Sequence, residues 1–314
     1  METIENNFRI TGQLFNDEDL KGVDISDSLK LDSEYCNSLS NIAKKIELAY
    51  KLFEQKDFTS LYSVISSACS NFELAWETVK KLPNVRYVST KETLPLYIMK
   101  NNNPEDNLLN ISVENYSISE MYYLQAYSLI EFERYEEAAE VLDKVLEWDS
   151  VYVAAINEYA QICGKTKDLE GYKLFSTAII IYATTIHELA LGYRKLGSYC
   201  IDVENFELAY ALFLYSKNFE ESKITDNEIG YIKHVTGKDF DYITNEKALN
   251  MLKENNIPIQ VSFNTVKGYL SLMSFAKKYN YEKEFSQLKQ NLLEIIVDEG
   301  DKIRILDIIN DLQK

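Results

Sequence analysis

Gly230, Gly237 and Lys238 raise the first chemical question, because a glycine-rich turn ending in lysine can cradle phosphate. Six residues separate the two glycines where a phosphate loop has four, and Asp239 replaces the serine or threonine that would hold magnesium. The spacing predicts instead a glycine that ends a helix ahead of Phe240. The two histidines fare no better. His187-Glu188 is followed four residues after the histidine by Leu191, so the paired-histidine pattern of a metalloprotease helix is absent. Neither His187 nor His234 has a cysteine or second histidine nearby, and each reads as a local hydrogen-bonding residue. Cys36, Cys69, Cys163 and Cys200 form no CxxC pair and are expected as buried free thiols in a reducing compartment. The neighbouring acids Glu136-Glu137 and Glu220-Glu221 read as solvated helix faces, since a glycosidase must bring two carboxylates together across a cleft. We therefore expect no catalytic residue, no cofactor and no metal.

Partners are bounded by charge. With 33 basic and 50 acidic side chains the net charge is −17, which disfavours nucleic acid and repels anionic membranes. The first residues, METIENNFRITGQLF, lack the basic start and apolar core of a signal peptide, and the run AIIIYATTI (178–186) is too short to span a bilayer. A cytoplasmic protein is the expectation. Only 10 glycines and 4 prolines occur in 314 residues, and this scarcity favours long helices with short connections over a sheet-rich fold.

The chain divides by pattern. Residues 1–38 are polar, with an acidic stretch NDEDLKGVDISDSLKLDSE, and read as an N-terminal arm. Across 39–106, Ile42, Ile46, Ala49, Leu52 and Phe53 recur at helical steps, and TSLYSVISSACSNFELAWETVKKL resumes the pattern after KDF. A further helical piece, KETLPLYIMK, precedes the punctuation NNNPEDN. Residues 107–118 are expected as a linker loop, in which the sequon matches at Asn110 and Asn115 are polar loop residues.

From Ser119 a repeat appears. Ala126, Tyr135 and Ala138 are matched 34 residues on by Ala160, Leu169 and Tyr172, and another 37 on by Gly197, Phe206 and Ala209. Such a period, with a helix on each side of a short turn, marks a helical solenoid. Ala138 then has a reason to be small: two antiparallel helices approach closely only where side chains allow it. In the middle unit Tyr172 fills the slot where alanine belongs, and wider helix packing is expected there. The same frame extends to Ala49, Phe58, Leu61, Ile65 and Ala68, and towards the C-terminus to Phe240 and Tyr281. Ile305, Ile309 and Leu312 suit a terminal helix with a polar back. Heptads break every fifteen or so residues, which argues against a coiled coil.

The unit Ser119–Ser150, with Tyr122, Ala126, Leu129, Tyr135, Ala138, Leu142 and Val145, resembles the tetratricopeptide repeat (TPR), as does the unit through Tyr193, Gly197, Phe206, Ala209 and Phe213. The resemblance is specific over 119–221; residues 222–314 fit it as divergent repeats with a capping helix. It implies an all-α, right-handed superhelical solenoid of antiparallel helix pairs, whose concave face, formed by the first helix of each pair, grips a protein or peptide partner. Mapped onto this chain, that face holds Tyr123, Tyr127 and Glu131, then Asn157, Gln161 and Lys165, then Arg194, Ser198 and Asp202. Four-residue spacing lets each set point one way, and one continuous groove is expected. The tyrosines would contact peptide side chains, the amides its backbone, and Arg194 an acidic group. The resulting expectation is a non-enzymatic adaptor or sensor. The alternatives are a structural subunit of an assembly and an enzyme on a helical scaffold.

Overall fold

The computed structural model describes residues 23–24, 33–79, 85–90, 93–102, 110–113 and 117–313. Helices dominate: fourteen occur among the described residues. They fall into two compact units, with the boundary between Glu158 and Tyr159.

The first unit contains β1 (Val23–Asp24), α1 (Ser33–Glu54), α2 (Phe58–Thr78), β2 (Val85–Val88), α3 (Thr93–Asn102), β3 (Asn110–Val113), α4 (Ser117–Glu131), α5 (Tyr135–Trp148) and the start of α6 (Val153–Thr166). α1 packs on α2, α2 on α4, and α4 on α5. Ile42, Ile46, Ala49, Leu61, Ile65 and Ala68 are buried as their spacing predicts. Both tryptophans join this core. Trp148 of α5 lies 5.1 Å from Trp76 and 5.7 Å from Phe72, both of α2, and Trp76 lies 5.2 Å from Tyr87 of β2.

Three short strands accompany the helices of this all-α fold. β3 is the centre of a three-stranded parallel sheet ordered β1-β3-β2, with Val85 opposite Asn110, Val88 opposite Val113, and Val23 opposite Ile111. The expected linker loop 107–118 thus holds the strand Asn110–Val113 and the first two residues of α4. Parallel neighbours need a crossover, and α3 supplies it between β2 and β3. Four-residue strands are too short for periodicity to register. Their valines, isoleucine and tyrosine are nevertheless the residue types that fit a pleated surface. Of the expected arm 1–38, Val23–Asp24 is a strand and α1 already begins at Ser33; its other residues lie outside those described.

The second unit continues α6 and adds α7 (Leu169–Tyr182), α8 (Ile186–Asp202), α9 (Phe206–Ser216), α10 (Lys223–Thr236), α11 (Asn245–Glu254), α12 (Phe263–Lys278), α13 (Glu282–Ile295) and α14 (Glu299–Gln313). The unit boundary therefore cuts through the 119–221 repeat region. α7 packs on α8, α8 on α9, α9 on both α10 and α11, α12 on α13, and α14, whose Ile305 and Ile309 are buried, on α12. Gly237 ends α10 in the left-handed conformation at φ 61°, as the helix-ending role requires.

One turn recurs between helices. Lys56, Glu133, Lys167, Glu204 and Asn280 all have φ between 58° and 62°, and each stands just after a helix. The following N–H closes the turn onto a carbonyl five residues back: Asp57 to Leu52, Arg134 to Leu129, Asp168 to Cys163, Asn205 to Cys200 and Tyr281 to Ala276, at 2.8 to 2.9 Å. This satisfies carbonyls that the helix end leaves without partners. The next helix starts at once, capped by the side chains of Asp57, Asp168 and Asn205, which accept from Ser60, Gly171 and Leu208 N–H groups.

Small residues set the helix spacing. Ala138 and Ala209 are fully buried. A methyl group on Gly197 would stand 3.0 Å from the Phe213 ring, and one on Gly164 would stand 3.1 Å from the Tyr172 ring. The second contact explains the missing alanine at position 172. The small residue has moved to the facing helix, so Tyr172 is buried without needing the wider packing expected from its size.

In the first unit, a buried carboxylate joins α5 to the sheet region. Asp149 is 1% exposed and accepts from the Val151 N–H at 3.2 Å. Burial pushes its carboxyl up to about 6, against the opposing pull of the Thr90 side chain, the Val151 N–H and the Arg86 charge.

Three tests follow from this packing. Ala138→Phe should overpack α4 against α5 and cost about 1–3 kcal/mol; an unshifted melting curve would remove the inferred contact. Glu204→Val should cost about 1–2 kcal/mol because a β-branched residue resists the left-handed region, while Glu204→Gly should match or exceed the parent. Equal denaturation midpoints for the two variants would refute that account of the turn. Asp149 gives a pH signature. Its folded pKa lies above the unfolded value of about 3.9, so the folded chain binds more protons in that window. The contribution is therefore complete below about pH 4 and is lost as pH rises through about 6, amounting to something on the order of 3 kcal/mol. Asp149→Asn should lack this component, and parallel stability-versus-pH curves for parent and variant would disprove it.

Candidate functional site

The nine positions mapped from the repeat fall into two groups, one in each unit. In the first unit α4 carries Tyr123, Tyr127 and Glu131 in register, and α6 carries Asn157. Tyr127 packs its ring 4.9 Å from Phe53 at the end of α1 and 6.0 Å from Phe58 at the start of α2. Tyr123 sits 5.5 Å from Tyr152 and 6.3 Å from Tyr127. These rings are half-buried, and much of their surface is spent on neighbours within the unit.

Carboxylates surround the hydroxyl ends. Burial, then the charges of Glu131 and Glu158 and a hydrogen bond with Glu131, pushes the Tyr127 hydroxyl up to about 12. Burial and Glu158 raise Tyr123 beyond the range of any physiological titration. Both phenols stay protonated at neutral pH and can only donate or accept hydrogen bonds. Tyr152 donates to Glu120 at 3.2 Å, and burial holds the Glu120 carboxyl above its ordinary range despite that bond. Asn157 donates through Nδ2 to Glu158 at 3.3 Å, while its own Oδ1 is buried with no hydrogen-bond partner. Glu131 is exposed.

In the second unit the structure brings four mapped residues to one place. Gln161 and Lys165 of α6 and Ser198 and Asp202 of α8 line a cleft of about 420 Å³. Sequence reasoning missed its other walls: Gly164, Lys167 in the left-handed turn, Tyr172 of α7, Lys195 and Ile201 of α8, and Glu228 of α10. Lys167 pairs with Asp202 at 3.6 Å. Burial pushes the Tyr172 hydroxyl up to about 12, with a hydrogen bond to Ser198 pulling the other way, so this phenol too is neutral at physiological pH. The cleft lining has three ammonium groups against two carboxylates.

Arg194 is not part of that lining. Its guanidinium, nine-tenths buried, donates to Glu220 at 2.8 Å, and the same carboxylate meets His187 Nδ1 at 2.9 Å. The two contacts, His187 first, hold Glu220 below its usual range. The cation expected to meet an acidic ligand is thus neutralised within the unit, and its sequence neighbour Lys195 reaches the cleft instead. One step along a helix turns a side chain by about 100°, which a four-residue count starting at Arg194 cannot reveal.

Elsewhere the chemistry is quiet. Cys69, Cys163 and Cys200 are free and buried, and burial raises all three thiols, Cys163 to about 11 and Cys200 to about 12. Thiols held this high carry almost no thiolate, the nucleophilic form, at neutral pH. Cys36 lies outside the residues with described side chains. Among the described residues, no group of three or more histidine, cysteine, aspartate or glutamate side chains could hold a metal ion, and no helix is long and apolar enough to cross a membrane. In comparisons with known protein families, with curated proteins and with solved structures, nothing matches this chain.

Proposed function

We propose that this chain is a non-enzymatic binding module of TPR-like superhelical build, acting in the cytoplasm as an adaptor or sensor that takes a protein or peptide segment. The observation that carries the reading is the cleft of the second unit. Its walls come chiefly from α6 and α8, which are alternate helices of the chain, with Tyr172 of α7 and Glu228 of α10 adding one residue each. In a solenoid of helix pairs, alternate helices share one face, and that face is where an extended partner lies. The lining supports the same use: the Gln161 amide and the Ser198 and Tyr172 hydroxyls offer neutral hydrogen bonds to a peptide backbone that would otherwise lose water without compensation. No nucleophile with an activating base stands among these residues.

A structural-subunit reading draws on a different feature. Phe275, Tyr279 and Tyr281, at the α12–α13 turn, are each 40 to 50% exposed, and the first two rings lie 4.6 Å apart. Exposed aromatic clusters of this kind suit a protein contact.

The cleft reading is tested by panning the full chain against random-sequence, end-blocked peptides and then filling the cleft. Ser198→Trp should weaken the selected peptides by about tenfold or more, equivalent to about 1.4 kcal/mol, while the melting curve holds. Gln161→Trp, at a half-exposed position, provides the same test should Ser198→Trp unfold. Peptides that bind both variants at parental affinity would place recognition elsewhere, and a chain that selects none would end the reading.

A further inference from the structure

We propose that an acidic and aromatic stripe in the first unit, carried on α4 by Glu120, Tyr123, Tyr127 and Glu131 and completed by Tyr152 and Asn157, binds an arginine side chain of the partner segment. This inference rests on the binding-module reading above and names the chemistry of a second place where the partner is held.

The stripe is continuous along one helix face, because positions 120, 123, 127 and 131 follow at steps of three and four. A carboxylate stands at each end, with two phenols between. Tyr152, just ahead of α6, brings its ring to 5.5 Å from Tyr123, whose other ring neighbour, Tyr127, lies at 6.3 Å. Phe53 and Phe58 hold the Tyr127 ring in turn. These rings are fixed by the packing of their own unit, so the surface is set before a partner arrives.

Hydrogen-bond donors at this surface are spent and acceptors are left. The Tyr152 hydroxyl donates to Glu120 at 3.2 Å, the Tyr127 hydroxyl bonds to Glu131, and Asn157 Nδ2 donates to Glu158 at 3.3 Å. Each phenol oxygen keeps lone pairs that can accept. Asn157 Oδ1 is buried without a hydrogen-bond partner, a cost that a donor brought in from outside relieves. Glu120, 8% exposed, is hydrogen-bonded to a neutral hydroxyl, whereas a buried carboxylate ordinarily meets a cation. Glu158 is engaged within the fold and is no part of this balance. The ionisable groups acting on the three phenols are themselves carboxylates and phenols, with Glu120 on both Tyr123 and Tyr152 and Glu131 on Tyr127.

A guanidinium answers these groups. It carries several N–H donors in a fixed fork and no acceptor, so it can meet a carboxylate, a carboxamide oxygen and a phenol oxygen together. Its plane packs on aromatic carbon, and its weak hydration makes it easier to desolvate than an ammonium. Lysine, a compact point charge, reaches fewer of these oxygens. A carboxylate or phosphoryl group would set acceptors against acceptors. The field of the −17 chain has the sign that draws a cation in.

The test pans the full chain against end-blocked random decapeptides. The parent should enrich arginine over lysine. Glu131→Lys, at an exposed position, should remove that enrichment and weaken the best arginine peptide by about tenfold or more. Glu131→Gln should act in the same direction, and it serves as the check if Glu131→Lys shifts the melting curve. Glu140→Lys makes the same change of charge at an exposed position of α5, off the stripe, and should leave both the enrichment and the affinity at the parent's level. An equal loss in Glu140→Lys would mark attraction to the acidic chain as a whole. That result, lysine enriched equally with arginine, no basic bias, or a bias that survives Glu131→Lys would each overturn this inference and leave the binding-module reading standing. Selection of no peptide by the parent would remove both.

Discussion

The close approach of neighbouring helices over a small residue is the contact on which each unit depends. Where Gly197 meets Phe213, or Gly164 meets Tyr172, an added methyl would press on a ring at 3.0 or 3.1 Å, so the pairing of small with large fixes how near two helices lie. Interiors packed to this density do not relax smoothly, and a change at one such contact moves the helix rather than the side chain. The recurring left-handed turn follows from the same constraint. Helices this close need a connection of few residues, and the chain accepts lysine, glutamate or asparagine at positive φ to obtain it. Gly164 and Tyr172 also line the cleft, so the residues that set the spacing shape the site as well.

Much of this was legible in the sequence because helical packing repeats. Ala138, Ala209, Leu142 and Phe213 stand at spacings that predict burial, and all four are buried. What escaped was of three physical kinds. The strands Val85–Val88 and Asn110–Val113 are shorter than any window in which alternation can be counted, and the second reads as polar loop. The pair Gly164 and Tyr172 exchanges small for large between two helices, which a frame aligned on one helix at a time scores as a mismatch. Arg194 and Lys195 are adjacent cations, and only the structure shows that Arg194 turns to Glu220 while Lys195 lines the cleft.

The tyrosines show how a hydroxyl can serve the fold itself. Several spend theirs on carbonyls inside it. In the second unit Tyr193 donates to Pro258 O at 2.9 Å and Tyr215 to Ile259 O at 2.8 Å, securing the extended connection between α11 and α12. Tyr269 donates to Thr184 O at 2.6 Å and ties α12 to the turn before α8. A buried ring that ends in a hydroxyl can satisfy a carbonyl that no helix reaches, and the non-helical connections create that need.

What distinguishes the cleft from these internal contacts is the kind of side chain that reaches it. Tyr123 and Tyr127 satisfy ring faces and carboxylates of their own unit, and so their removal would open a core as much as a surface. Lys165 and Ser198 line open space, whereas Ile162, Cys163, Leu196 and Cys200 of the same helices are buried. Residues that the fold does not need for packing are free to answer to a ligand. The separation of the two tasks along one helix lets the spacing of the helices hold while the residues that line the cleft vary.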